Sequence, residues 1–172
     1  MLDRLIARTE SAARVLLWIA IAAGLLMMLH VTADVIGRTV FNHPLAGTTE
    51  IVSGYYMIAV SFLPWAWISA KEGHIRVEIF TTSMSPRRRA WLDVGVALLT
   101  LAYVAAFTWQ TFERAVHATA VRESWEAPSG FLPVWLSHWL LPLGGALMAA
   151  YLLLWVLAEI ARLARGHAGA RA

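Results

Sequence analysis

Four stretches of the chain are apolar almost without interruption: Val15 to Ile36, Ile51 to Ala70, Trp91 to Phe112 and Val134 to Ile160. A helix needs ~20 residues to cross roughly 30 Å of hydrocarbon, and each stretch reaches that length. Lipid offers no water to backbone amides and carbonyls, so such runs satisfy themselves by becoming helical. The pattern predicts an all-α integral membrane protein, one domain over residues 1–172. Its four transmembrane helices fall at about 15–37, 49–70, 88–115 and 134–161.

The polar intervals predict the joints. In residues 2–13, Leu2, Leu5, Ile6 and Thr9 lie near one helical face while Asp3, Arg4 and Arg8 lie elsewhere. That predicts a short interfacial helix ahead of the first span. Asn42, Pro44 and Gly47 supply turn chemistry between the first two spans. Thr48, Thr49 and Glu50 then open the second helix, where hydroxyls and an acid suit free amides and the positive dipole end. After Lys71 and Gly73 the segment HIRVEIF alternates, which suits a short extended segment. Ile75, Ile79 and Phe80 equally suit a helix lying on the membrane surface, the reading preferred here. Ser85-Pro86 reads as an N-cap followed by the first helical position. Residues 117–133 carry both charge signs, Pro128, Gly130 and Pro133, and read as a connector or a partner surface.

Composition agrees with the pattern. The 172 residues are 59% hydrophobic and 15% charged, against about 25% charged in a soluble domain. Without cysteine, disulfides, thiolate metal sites and Cys nucleophiles are excluded. The net charge of +3 does not point to nucleic acid, because the cations fall in short clusters between apolar runs. All but three of the fourteen Lys and Arg lie in the N-terminal tail, the middle loop or the C-terminal tail. Arg38, Arg114 and Arg122 lie on the other side. The positive-inside rule therefore puts both termini and the middle loop in the cytoplasm. The first apolar run exceeds a signal-peptide h-region and lacks a small-residue cleavage site, so it reads as a retained span. Trp18, Trp91 and Trp155 fall near the inner boundary, and Trp109, Trp125, Trp135 and Trp139 near the outer one, as interfacial anchors do.

Ionisable groups within a span are the first candidates for function. His30, Asp34 and Arg38 recur every fourth residue and share a face, with Asp34 and Arg38 an i,i+4 pair. Two readings compete: an ion or proton site, or a salt bridge fastening helix to loop with Glu50 as a third member. A relay needs further acids deeper in the bundle, and the middle thirds of the four spans contain none. The fastening reading is preferred. Pro64 and Pro142 fall within spans and predict kinks. Ala20 and Gly24, Ala102 and Ala106, and Gly145 and Ala149 have the small-xxx-small spacing of packing faces. Haem held between helices, as in a membrane electron-transfer subunit, is the alternative function. It needs two histidines at matched depth, and only His30 lies well within a span, so no cofactor is expected.

The motifs also resemble a known family. Asp34-x-x-x-Arg38, then Phe41-Asn42-x-Pro44-x-x-Gly47-x-x-Glu50, then Gly73-His74-Ile75-x-Val77, and later Pro142-x-Gly144, are together similar to the small permease subunit of TRAP transporters, the DctQ-like family. Glu78 stands where that family more often has Asp. The resemblance implies no enzymatic activity. It implies a large multi-span permease subunit and a periplasmic solute-binding protein as partners, with lipid around them and no nucleic acid. It also implies sodium-driven uptake of an organic acid across the bacterial inner membrane, the small subunit acting as a brace. Asp34, Arg38, Asn42, Pro44, Gly47, Glu50, Gly73, His74 and Arg76 are the candidates for that structural and assembly role.

Overall fold

The computed structural model describes residues 2–71, 84–127 and 130–165. Gly73, His74, Arg76 and the expected surface helix after them lie outside the described residues. Among the described residues, four helices are long and apolar enough to cross a membrane. They are α1 (Leu2–Val40), α2 (Thr48–Ala70), α3 (Pro86–Ala120) and α4 (Leu140–Ala164). A hairpin of β1 (Ser124–Ala127) and β2 (Gly130–Pro133) and a 3₁₀ turn, Ser137–Trp139, join α3 to α4.

The separate interfacial helix expected at residues 2–13 does not form; that segment is the first third of α1. Burial along α1 explains this. The residues at least partly shielded include positions 2, 6, 9, 13, 16, 20, 23, 27, 30, 34 and 37. These alternate in steps of four and three, the 3.5-residue period of a helix wound against neighbours. The stripe passes from the charged tail into the apolar run without a break. Ala13 in the tail is buried with Ala66, Val104 and Met148, and Ala20 with Ala59 and Leu63. The inward stripe is mostly small or polar. Trp18, Leu25, Leu29 and Val35 on the other face are half exposed or more. A helix in lipid gains little by hiding large apolar groups, and small ones let backbones approach. At 39 residues α1 is about 58 Å long, far more than a hydrocarbon core.

Helix α4 is the common neighbour of α1, α2 and α3. Its contacts with α2 and α3 are built on two glycines. A Cβ at Gly144 would run into the Phe62 carbonyl, and one at Gly145 into the Thr108 hydroxyl. Phe62 adjoins the break in α2, where Pro64 withholds an amide and the helix divides into Met57–Phe62 and Trp65–Ala70. Pro142 makes no such break. It sits in the first turn of α4, where early amides have no intrahelical acceptor to lose. The third small-residue pair also departs from expectation: Ala102 and Ala106 face outward, away from the bundle.

Candidate functional site: two fastened corners at one end of the bundle

The turn from α1 to α2 is organised by one buried acid. Asp34 is 5% exposed. Its Oδ2 accepts from Arg38 Nη2 at 2.8 Å, and its Oδ1 accepts the Leu45 amide, also at 2.8 Å. The carboxylate thus joins its own helix to a residue eleven positions on. A buried carboxylate without such donors would be costly, and hydrogen bonds to the ionised form are the strong ones. Arg38 is mostly exposed, its side chain at 65%.

The loop closes on this hub through its backbone. The His43 amide donates to the Gly37 carbonyl at 2.9 Å. A Cβ on Gly37 would sit 2.7 Å from the His43 oxygen, so a side chain there would push the loop off α1. Asn42 (φ 52°) and Gly47 (φ 84°) take the left-handed turns, the conformation Asn and Gly tolerate best. Pro44 lies between them in irregular chain. Gly47, not a hydroxyl residue, caps α2. Thr48 instead donates to the Leu45 carbonyl at 3.1 Å and approaches His30 Nε2 at 3.5 Å. His30 meets the Tyr56 ring edge-on, centroids 6.0 Å apart. Glu50 does not join the Asp34–Arg38 pair; among the described residues its carboxylate has no ion-pair partner.

The turn from α3 to α4 uses different means. Helix α3 ends in a Schellman arrangement: Glu123 N–H reaches the Ala118 carbonyl at 2.9 Å and Arg122 N–H the Thr119 carbonyl at 3.2 Å. The left-handed residue is Arg122 (φ 48°), where glycine is usual. Glu123 then serves twice. Its carbonyl accepts the amides of Val134 (3.0 Å) and Trp135 (3.2 Å), closing the base of the hairpin. Its carboxylate takes Arg114 Nη2 at 2.9 and 2.7 Å and lies 3.7 Å from His138 Nε2. Trp139 Nε1 donates to Thr119 Oγ1 at 2.9 Å, a second tie between α3 and the start of α4.

The hairpin is antiparallel, with Trp125 opposite Leu132 and Glu126 opposite Phe131. It rests on α2. The space above Gly54 holds Trp125 Cζ3 and Val134 Cγ1, at 3.4 and 3.5 Å from where a Cβ would be. The Tyr55 hydroxyl donates to the Pro133 carbonyl. Gly54, Tyr55 and Tyr56 all lie in a π-helical turn, Val52–Tyr56. That one turn carries the hairpin contacts and the His30 contact, so it couples the corners.

Spacing singled out Asp34 and Arg38, and the structure brings them together. It missed Arg114, Glu123 and His138, because α3 ends between the first two and helical spacing stops applying there. Tyr55 and Gly54 were missed because their partners lie far along the chain, 78 residues away for Tyr55 and Pro133. The available signal was Pro128-Ser129-Gly130, three turn formers between the aromatic residues Trp125 and Phe131, a hairpin pattern.

These features define a polytopic helical membrane protein with one end tied by polar groups and an interior packed through small residues. The family model for the DctQ component of tripartite ATP-independent periplasmic transporters matches residues 27–166. The chain belongs to that family, and both corners lie inside the matched region. No individually curated protein matches it significantly.

Proposed function

We propose that this chain is a brace: the small permease subunit that holds the large, substrate-carrying permease subunit in the bacterial inner membrane. The whole chain forms one membrane domain with both termini cytoplasmic, so that the two corners face the periplasm. The assembly takes up an organic acid by sodium symport after a periplasmic binding protein delivers it. The small subunit performs no reaction of its own. Asp34, Arg38, Asn42, Pro44 and Gly47 hold the first corner. Glu50, Gly73, His74 and Arg76 serve assembly.

The observation that carries this reading is the partition of α1. Its shielded stripe is mostly small or polar, whereas Val15, Trp18, Leu25, Leu26, Met28 and Leu29 are each more than half exposed. A face of that kind suits lipid and a large membrane partner. The test is uptake into proteoliposomes loaded with this chain, with the large subunit, or with both, always with the binding protein present. Sodium-driven uptake is expected only when both are present. Substantial uptake by this chain alone would contradict the reading.

A further inference from the structure

Hydrocarbon offers no hydrogen bonds, so a polar group on a lipid-facing surface must find its partner in protein. Helix α1 obeys this. Its outward hydroxyls turn back onto their own helix, Thr32 to the Met28 carbonyl and Thr39 to the Val35 carbonyl, both at 2.7 Å. Ser53 of α2 does the same with the Thr49 carbonyl. Further from the helix ends, three outward side chains do not. Ser61, Tyr103 and Gln110 are exposed, and they make no hydrogen bond with a described residue.

Depth makes these exceptions costly. Tyr103, 69% exposed, is the middle residue of α3 (Pro86–Ala120), about 26 Å from either end. Gln110 lies about 15 Å from the nearer end of α3, and Ser61 about 14 Å from that of α2. A tyrosine in an interfacial belt sits where its hydroxyl meets water or headgroups. Tyr103 reaches neither border.

The three are also neighbours. The Trp65 and Phe107 rings lie 5.3 Å apart between centroids, and the Phe62 and Phe107 rings stack at 5.9 Å, so an aromatic bridge joins α2 to α3. Helix α4 floors the space between them, with Gly144 against Phe62 and Gly145 against Thr108. Ser61 is one turn from Trp65, and Tyr103 and Gln110 are one turn to either side of Phe107. In the same part of α2, Pro64 denies the Val60 carbonyl the amide it accepts in a regular helix. Ala106, outward between Tyr103 and Gln110, has no bulk to hold a second backbone off.

The chemistry selects the occupant. A lipid chain can cover the rings but brings no donor or acceptor to this depth. A membrane-spanning protein segment brings both. The outward face of α1 suits lipid and protein alike, whereas this one suits protein.

We propose that the α2–α3 face centred on Tyr103 is where the large permease subunit docks. One of its membrane-spanning segments lies across the Phe62–Trp65–Phe107 bridge and hydrogen-bonds to Ser61, Tyr103 and Gln110. This docking face rests on the brace reading and adds to it the place of contact.

The test co-expresses the tagged full chain with the large subunit and measures the large subunit recovered per chain from the same membranes. The variants are S61A/Y103F/Q110L, which removes the three polar groups with little change of shape, and T32A, at an outward hydroxyl that is already satisfied. Recovery should fall by about tenfold in the triple variant, the scale of one or two hydrogen bonds lost within a membrane. It should stay at the wild-type level in T32A. Thermal unfolding of the isolated triple variant in detergent should not fall, because the groups removed have no partner within the chain. A photoreactive p-benzoyl-L-phenylalanine in place of Leu99, 75% exposed and one turn from Tyr103, should crosslink to the large subunit. Equal recovery by wild type and triple variant would overturn the docking face and leave the brace reading standing. So would an isolated triple variant less stable than wild type, or a Leu99 crosslink confined to lipid or to a second copy of this chain. Absence of the large subunit from the wild-type preparation would sink the brace reading, and the docking face with it.

Discussion

The two corners solve one problem, turning a helix back into the membrane, by opposite routes. At the first, a side chain adds to one backbone bond from His43 to Gly37: Asp34 reaches out of α1 and holds the Leu45 amide of the loop. At the second, backbone does the work: the Glu123 carbonyl takes two amides, and its carboxylate adds a clamp on Arg114. The first acid is buried and the second is partly wet, at 23% side-chain exposure. A corner that hangs on one buried side chain is vulnerable to one substitution. A corner closed through backbone and backed by a hairpin on α2 is not.

That contrast makes an ordered set of expectations. Asp34→Ala has the largest effect. It leaves the Leu45 amide without its acceptor, so hydrogen exchange there should rise by about one to two orders of magnitude. Thermal unfolding in detergent should fall further than for any single change at the other corner. Equal exchange in variant and wild type would show that the loop holds itself. Glu123→Ala comes next, at roughly 1 kcal/mol, discounted for the exposure of Arg114. The backbone acceptors survive this change, so the Val134 and Trp135 amides should stay protected. Their loss would make the two corners alike after all. Arg122→Gly should act in the other direction. It relieves a left-handed arginine at the price of chain entropy, a net gain of about 0.5–1 kcal/mol; a loss would mean that the arginine side chain itself contributes. Arg38→Ala is the smallest, within about 1 kcal/mol, because the side chain is mostly in solvent. An effect as large as that of Asp34→Ala would move the centre of the corner from the acid to the base.

The same contrast marks what could be read before the structure. The four helices follow from apolar run length alone. The first corner was legible because its chemistry is local: Asp34 and Arg38 are one turn apart, and Asn42 and Gly47 advertise left-handed turns. The second was not. Arg114 and Glu123 are nine residues apart across a helix end that an arginine, not a glycine, terminates. The continuity of α1 was present as the 3.5-residue stripe from Leu2 to Gly37, masked by the charges at Asp3, Arg4 and Arg8 that suggested a surface helix. Pro142 misled because its position in the first turn of α4 depends on where the hairpin releases the chain. Glu50 misled because closeness in sequence suggests a third member of the pair, while Arg38, the one cation of the group, turns to Asp34 on its own helix.

The central claim is that the corner residues hold fold and assembly, not a ligand. It is tested most directly by co-expressing tagged wild-type or Asp34→Ala chain with the large subunit and the binding protein, then measuring complex recovery and uptake KM on the same membranes. Recovery of the large subunit should fall, with the KM of the remaining complex unchanged. Full recovery with an altered KM would contradict it and return Asp34 to the role of a substrate or ion site.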